Sequence, residues 1–203
     1  MGERAVERSL QHYVSRLDLV VGPNGAGKST FVSRILSPQL PAIPFVNADL
    51  IAAQYWPADP EHHAYEAAQL ADDTRSELIG RRQQFIAETV FSHPSKLELI
   101  ARAQAAGYFV ALHVLLVPEE LAVARVAYRI LAGGHSVPDD KIRSRYQRLW
   151  PLVVQAGQTS DAADFWDNAR LAGPELVASL SSGQRLAASK WPRWTPPALV
   201  AAW

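Results

Sequence analysis

Short apolar runs alternate with longer mixed stretches over most of the chain. Continuous apolar runs rich in β-branched or aromatic residues predict buried strands at residues 17–21, 45–46, 85–89, 108–117 and 162–166. The run at 108–117 has the composition that is typical of a central parallel strand. From Gly173 onward the pattern is weak, and we predict no further strand there.

The mixed stretches between these runs favour helices. We predict helices at residues 29–36, 60–82 and 94–106, and two more that begin after Pro118 and Pro138. The expected apolar stripes of the last two helices are Leu121, Ala124, Tyr128 and Leu131, and Ile142, Tyr146, Leu149 and Val153. Strands that alternate with helices imply βαβ units, and hence an α/β fold with a central parallel sheet and helices on both faces.

Composition narrows the functional classes. The 203 residues are 48% hydrophobic and 20% charged, with a formal net charge of zero, so no global field favours nucleic acid or an anionic membrane. The chain has no cysteine, which excludes disulfides and thiolate chemistry. No apolar run approaches the roughly 20 residues that span a bilayer, and no signal peptide is visible. We expect a cytoplasmic protein without nucleic-acid or membrane partners.

Residues 22–30 read GPNGAGKST and follow the first predicted strand directly, which is the pattern of a phosphate-binding loop. In this motif, glycines let backbone N–H groups turn toward phosphate oxygens, and the following helix adds its positive end. Lys28 can reach the β- and γ-phosphates, and the Ser29 hydroxyl can ligate Mg²⁺. The predicted site for ATP and Mg²⁺ comprises Gly22, Pro23, Asn24, Gly25, Ala26, Gly27, Lys28, Ser29 and Thr30.

Two acidic residues lie where the next strands are predicted to end. Ligands of parallel α/β sheets bind at the carboxyl ends of the strands, so Asp49 and Glu88 are expected on the same rim as the loop. Asp49 is a candidate base for an acceptor hydroxyl, and the alternative is an N-cap of the next helix. Glu88 is a candidate contact to substrate or to Mg²⁺ through water, and the alternative is a solvated strand end.

Arg125 and Arg129 are four residues apart, which places both on one face of the helix after Pro118. Two guanidinium groups on one face suit a phosphate, and a solvated helix surface is the alternative. The helix ends near Gly133 and Gly134, where we predict a flexible lid around residues 132–139.

Several classes of protein share the phosphate loop. Residues 180–184 (LSSGQ) are similar to the signature of ABC ATPases, but no apolar strand ending in acidic residues follows them. The guanine motif Asn-Lys-x-Asp of GTPases is absent. A small-molecule kinase needs a base, cations at the transferred phosphoryl group and a closing lid, and the chain has a candidate for each.

Five segments, in their order and spacing, resemble the zeta-toxin family of P-loop kinases, in particular its compact stand-alone bacterial branch. They are GPNGAGKST (22–30), FVNADLIA (45–52), FIAETVFS (85–92), RVAYRILAGGHSVPDDKIRSRYQRL (125–149) and FWDNA (165–169). The resemblance implies a phosphate-loop kinase fold and ATP-dependent phosphorylation of a hydroxyl on a UDP-linked amino sugar such as UDP-N-acetylglucosamine. It also implies that a small antitoxin protein can block the ATP site.

The resemblance assigns roles to single residues. It implies that Asp49 is the general base with Asn47 beside it, that Glu88 and Thr89 line the sugar-nucleotide pocket, and that Arg125 stabilises the transferring phosphate. Asn168, in the FWDNA segment, is a candidate for a contact to adenine or for a turn cap.

This chain departs from the family pattern near the lid. Where the best-studied members carry a second phosphate-contacting arginine, this chain has His135. A neutral imidazole lacks the fixed charge and fork of a guanidinium. We therefore expect Arg129 or Arg145 to supply the missing cation.

For domain organisation we predict a helical extension at 1–16, a kinase domain at 17–172 and a tail at 173–203 that packs on the domain. Two functional alternatives stay open from the residues alone. One is a phosphate-loop kinase for another small acceptor, such as an antibiotic, a nucleoside or a sugar. The other is an ATP-binding switch module with little turnover.

Overall fold

The computed structural model describes residues 15–131 and 137–203, and these form an α/β fold. The strands are β1 (Arg16–Val21), β2 (Phe45–Val46), β3 (Phe85–Thr89), β4 (Phe109–Leu116), β5 (Ala162–Asp167), β6 (Glu175–Ser181) and β7 (Gln184–Arg185). The helices are α1 (Lys28–Phe31), which continues as a π-helical turn (Val32–Leu36) into α2 (Ser37–Gln39), then α3 (Ala48–Tyr55), α4 (Ala64–Gly80), α5 (Ser95–Ala105), α6 (Glu119–Leu131), α7 (Asp139–Thr159) and α8 (Pro197–Ala202).

The sheet of the described residues has the strand order β2-β3-β1-β4-β5-β6-β7. Its first five strands are parallel, while β6 and β7 are antiparallel to their neighbours. The parallel core confirms the expected fold class, and β4 occupies the central position that its apolar run predicts. Parallel strands need crossover connections, and the helices between them supply these.

Both faces of the sheet are buried. Along β1, Leu17, Leu19 and Val21 belong to one hydrophobic cluster, whereas Val20 belongs to a second cluster on the opposite face. Side chains of a strand alternate between faces, so this division shows that helices cover the sheet on both sides. Because β1 to β5 are parallel, their carboxyl ends lie along one rim of the sheet.

The helix predicted from about residue 60 to 82 is observed at Ala64–Gly80, and a separate helix, α3, precedes it. The structure has two helices here, α3 and α4, separated by turns at residues 56–63. Pro57 and Pro60 lie in these turns, where a missing N–H and a fixed φ oppose a continuous helix. The start of α3 is set by Asn47, whose side-chain oxygen accepts hydrogen bonds from the N–H groups of Asp49 and Leu50.

The apolar stripe predicted for α6 is wrong. Tyr128 and Leu131 are 76% and 87% exposed, while Ala122 and Val126 are buried. Apolar residues occur on several sides of this helix, so their spacing alone does not define the buried face. In contrast, the stripe predicted for α7 is confirmed, because Ile142, Tyr146, Leu149 and Val153 are all buried.

Residues after β5 extend the sheet, which the weak sequence pattern did not indicate. Strand β6 pairs with β5, and Phe165 of β5 contacts the rings of Trp191 and Trp203. These contacts give the C-terminal tryptophans a packing role on the sheet. None of the helices in residues 15–131 and 137–203 is long and apolar enough to cross a membrane.

Candidate active site

The phosphate loop joins β1 to α1, and its close packing requires glycine at two positions. Gly25 and Gly27 have φ of 75° and 83°, in the left-handed region that residues with a Cβ avoid. A Cβ at Gly25 would overlap the carbonyl oxygen of Ala122 in α6, and one at Gly27 would lie 2.7 Å from the side-chain nitrogen of Asn168. The loop is therefore held tightly against α6 and the end of β5.

Asn168 braces the phosphate loop from the end of β5. Its Nδ2 donates to the carbonyl oxygen of Ala26 at 2.7 Å, and its own N–H donates to Leu116 at the end of β4. The sequence suggested a contact to adenine or a turn cap. The structure instead shows a tie between three segments that converge on the rim.

Lys28 is buried beneath the loop and carries the loop's positive charge. Its Nζ donates to the carbonyl oxygens of Gly22 and Pro23 at 3.0 and 2.9 Å. Burial lowers the pKa of Lys28; the nearby acids Glu88 and Asp49 oppose this shift, while Arg129 and Arg145 add to it. Lys28 thus shares an electrostatic environment with four predicted site residues that are distant in sequence.

Glu88 connects the phosphate loop to the end of β2. Its Oε2 accepts a hydrogen bond from the Ser29 hydroxyl at 2.8 Å and another from Asn47 Nδ2 at 2.7 Å. The solvated strand end considered for Glu88 is therefore wrong, since the carboxylate is an anchored part of the rim.

The same region excludes Asp49 as the cap of α3, while its role as a base stays a prediction. Asn47 caps α3, as its side-chain oxygen accepts from the N–H groups of Asp49 at 2.7 Å and Leu50 at 3.2 Å. Asp49 lies in the first turn of α3 with an exposed side chain that lines the cavity above the loop. The cap belongs to Asn47, and the Asp49 carboxylate is available for chemistry.

A cavity of about 570 Å³ brings most of the predicted site together. Its walls include, from the predicted set, Asn24, Gly25, Gly27, Lys28, Ser29, Thr30, Asn47, Asp49, Glu88, Thr89, Arg125, Arg129 and Arg145. Gly22, Pro23 and Ala26 belong to the same loop, but they are buried and do not line the cavity. His135 lies outside the described residues, as does most of the predicted lid.

The arginines divide into two groups. The Arg125 guanidinium donates to the carbonyl oxygen of Asn168 at 3.0 Å and lies 3.5 Å from that of Gly25, so it is held between the loop and the β5 end. Arg129 and Arg145 come from α6 and α7, and both line the cavity. The cavity also contains the phosphate loop, and both positive charges add to the effect of burial in lowering the pKa of Lys28.

The segment after β3 forms another wall. Thr89 Oγ1 accepts a hydrogen bond from the N–H of Phe91 at 3.3 Å. Phe91 is fully buried with φ of 63°, an unusual value for a residue with a Cβ. Backbone strain of this kind is concentrated at sites where the surrounding structure fixes the chain, and here it shapes the cavity wall.

Sequence reasoning missed Arg75, His93 and Lys96, which also line the cavity. Arg75 is only 4% exposed although it belongs to a helix with a mostly polar surface. A charged residue on the alanine-rich face of α4 is the one sequence signal that could have revealed it, because Ala67 and Ala71 share the buried side.

The residues beside the loop suit a magnesium ion. Mg²⁺ prefers oxygen ligands and usually binds through one or two protein groups together with substrate phosphates and waters. The Ser29 hydroxyl and the Glu88 carboxylate are 2.8 Å apart at the mouth of the loop, which is such a donor pair. The described residues contain no group of three or more His, Cys, Asp or Glu that could hold a metal by themselves.

Comparison with known proteins identifies the family of this chain. The family model described as AAA domain matches residues 17–152, from β1 into α7. The chain belongs to this family. An uncharacterised protein of Haemophilus influenzae is 29% identical to it over 126 residues, which is 62% of this chain and 88% of that protein.

Solved structures with a similar fold include the AvrRxo1-ORF1:-ORF2 complex, the PezAT toxin–antitoxin system and a protein described as a putative kinase. The crystal structure of AvrRxo1-ORF1:-ORF2 with ATP has a TM-score of 0.66 at 17% identity, covering 90% of this chain. The chain spans only 62% of the length of that neighbour. The PezAT toxin–antitoxin structure of Streptococcus pneumoniae has a TM-score of 0.63 at 15% identity, covering 98% of this chain and 91% of the other.

A putative kinase from Chloroflexus aurantiacus has a TM-score of 0.53 at 17% identity, covering 67% of this chain and 78% of the other. At these identities the likeness concerns the fold. The fold of this chain is therefore that of a P-loop kinase-like protein.

Proposed function

We propose that this protein is an ATP-dependent kinase of the zeta-toxin type that phosphorylates a hydroxyl of a UDP-linked amino sugar. The observation that carries the proposal is that one cavity contains both the phosphate loop and Asp49. A nucleotide-binding module needs only the first of these. Phosphoryl transfer to an alcohol requires a carboxylate in the same cavity as the phosphate loop. Asp49 meets this requirement, since it does not serve as the cap of α3.

The residues that line the cavity have different roles in the proposed in-line transfer of the γ-phosphoryl group. Lys28 and the loop N–H groups hold the β- and γ-phosphates, and Asp49 accepts the proton of the acceptor hydroxyl. Arg129 and Arg145 balance the charge of the transferred group, since both line the cavity and both act on Lys28. Arg125, held on carbonyls of the loop and the β5 end, fixes the nucleotide side of the site.

Glu88 and Ser29 form the proposed magnesium position. A bound Mg²⁺ would neutralise charge between the β- and γ-phosphates. Glu88 keeps the Ser29 hydroxyl directed toward the cavity and, through Asn47, fixes the start of the helix that carries Asp49.

The acceptor lies, in this proposal, over Asn47, Asp49, Glu88 and Thr89, with α4 as the opposite wall. The similar fold in the Streptococcus pneumoniae protein, which comes from a toxin–antitoxin system, supports extending the proposal to a small protein partner that covers the ATP site. The AvrRxo1-ORF1:-ORF2 structure with ATP supports ATP as the nucleotide.

The direct test is incubation of the protein with ATP, Mg²⁺ and a panel of nucleotide sugars, nucleosides, plain sugars and hydroxylated antibiotics, followed by mass spectrometry. We expect a mass increase of one phosphoryl group on UDP-N-acetylglucosamine that depends on Mg²⁺ and is lost in Asp49→Asn. Transfer to another member of the panel alone would refute the sugar-nucleotide acceptor. ATP binding without transfer to any member would refute the kinase.

A further inference from the structure

The cavity contains two separate groups of positive charge. Lys28, Arg129 and Arg145 line the cavity together with the phosphate loop, and burial and both arginines lower the pKa of Lys28. Arg75 and Lys96 also line the cavity, and burial and the Arg75 charge lower the pKa of Lys96. Phosphate transfer from ATP accounts for the first group at the loop. The second group, Arg75 and Lys96, comes from α4 and α5, and phosphate transfer from ATP gives it no role.

Arg75 is the centre of this second group. It is 4% exposed and lines the cavity, and its Nε makes no hydrogen bond within the described residues. Its partner is Asp72, at 3.2 Å, but Asp72 is half exposed and also lies 3.4 Å from Arg102. One shared, solvated carboxylate is a weak counter-charge for a guanidinium that is almost fully buried, and such a charge is costly unless a further anion pairs with it.

Lys96 adds a second cation to the same wall. Its side chain comes from the first turn of α5 and lines the cavity beside His93. Burial lowers the pKa of Lys96, and the neighbouring Arg75 lowers it further, while Asp72 opposes the shift. Two cations that repel each other on one wall are stabilised when an anion lies between them.

The shape of the cavity leaves room for a ligand to reach this wall. Ala64, Ala68 and Ala71 line the cavity along the same face of α4 that carries Arg75. Alanine side chains leave space along this face up to the Arg75 guanidinium, and Asp49 lines the same cavity. A molecule of sugar size or longer can therefore extend from the base to the second group of cations.

We propose that Arg75 and Lys96 form a subsite for an oxyanion of the acceptor, a phosphate ester or a carboxylate, while its reactive hydroxyl lies at Asp49. The inference rests on the proposed kinase function and adds to it the two residues that select an anionic acceptor over a neutral one. Neutral sugars and nucleosides then lack the contact that orients them. Guanidinium and ammonium groups bind phosphate and carboxylate alike, so the two sources share one chemistry.

Isothermal titration of the protein loaded with a non-hydrolysable ATP analogue and Mg²⁺ tests this. The probes are matched pairs: N-acetylglucosamine against N-acetylglucosamine 1-phosphate and UDP-N-acetylglucosamine, and glucose against gluconate. Hydrogen bonds to charged groups contribute about 1.5–3 kcal/mol, so an anionic probe should bind roughly 10- to 100-fold more tightly than its neutral partner. A preference for the phosphate pair or for gluconate identifies the source of the oxyanion.

Substitutions test whether the preference for anionic probes depends on the proposed anion subsite. Lys96→Met removes the charge but keeps a long apolar stem, and should weaken the anionic probes roughly 10-fold without changing affinity for the ATP analogue. Arg102→Gln is the matched control, because it removes a charge next to Asp72 from outside the cavity. We expect it to change probe affinity by less than about twofold.

Three results would overturn the inference: equal affinity for neutral and anionic probes, no binding of any probe, or an effect of Arg102→Gln as large as that of Lys96→Met. Failure of the kinase proposal is seen separately. If anionic probes bind in a Lys96-dependent way but the wild-type protein transfers no phosphate to them, the anion site stands and the kinase is refuted.

Discussion

The Ser29 hydroxyl donates a 2.8 Å hydrogen bond to the Glu88 carboxylate, which joins the helix after β1 to the end of β3. The same carboxylate oxygen accepts from Asn47 Nδ2, at the end of β2. One carboxylate thus ties the ends of three neighbouring parallel strands. Because Asn47 also begins the helix that carries Asp49, this chain of hydrogen bonds fixes where Asp49 stands relative to the phosphate loop.

Glu88→Gln should raise the Mg²⁺ concentration that gives half-maximal activity. A neutral amide is a weaker magnesium contact than a carboxylate, and loss of such outer contacts typically costs about 10- to 100-fold in metal affinity. Magnesium titrations of the transfer rate measure this. Glu98→Gln, an exposed change on α5, is the control. An unchanged magnesium dependence with lowered stability would leave Glu88 with a bracing role only.

Asp49→Asn should lower kcat by about 10²- to 10⁴-fold, the usual contribution of a general base. Affinity for ATP should stay within about twofold, because Asp49 belongs to the acceptor side of the cavity. The unfolding temperature should be unchanged, since the cap of α3 is Asn47. Steady-state kinetics and thermal unfolding of the same samples provide both readouts.

Asn47→Ala provides the contrast to this variant. It removes the cap of α3 and the donor to Glu88, and should destabilise the protein by about 0.5–2 kcal/mol. Urea unfolding measures the change in free energy. Equal destabilisation by Asp49→Asn and Asn47→Ala would show that Asp49 serves the fold rather than the reaction.

The fold could be predicted where the spacing of apolar residues fits only one kind of element or one buried face. The run at 108–117 had the composition of a central strand, and α7 carried its apolar residues on a single stripe. The stripe of α6 was wrong because apolar residues lie all round that helix, so packing against the loop decides which side is buried. Strand β6 was missed because its sequence, ELVASLS, has a weak strand pattern. The segment forms a strand through its antiparallel pairing with β5.

The site could be predicted where residues belong to a motif or follow a strand. Lys28, Asp49 and Glu88 fall into this class, and the sheet brings them to one rim. Asn168 and Ala26 are 142 positions apart, and no local pattern shows that the first braces the second. Arg75 has a local signal, its place on the alanine-rich face of α4, but its burial depends on how α4 packs.

Arg125→Ala and Arg129→Ala should affect different kinetic constants. Arg125 is bound to carbonyl oxygens of Asn168 and the loop, so its loss should raise the KM for ATP. Arg129 lines the cavity and acts on Lys28, so its loss should lower kcat, by roughly 10-fold or more for one cation at the transferred group. Full kinetics at varied ATP measure both. If Arg125→Ala lowers kcat and leaves the KM for ATP unchanged, then Arg125 stabilises the transferred phosphoryl group instead.

Asp18 in β1 supplies a test of the fold that is independent of the active site. It is buried, and its Oδ1 lies 2.9 Å from His113 Nε2 in β4 and 2.7 Å from an Arg16 nitrogen. Burial by itself raises the pKa of Asp18, but the hydrogen bonds from His113 and Arg16 outweigh it and hold the pKa below the ordinary value.

A carboxyl whose pKa is lower in the folded state stabilises the protein above its unfolded pKa, about 3.9, and loses that contribution as the pH falls through the folded pKa. Asp18→Asn should therefore cost about 1.5–3 kcal/mol at pH 7, with a deficit that shrinks below about pH 4. Urea unfolding between pH 3 and 7 measures this, with the exposed Asp73→Asn as control. A deficit that stays constant through the acid range would mean that the Asp18 charge does not stabilise the sheet.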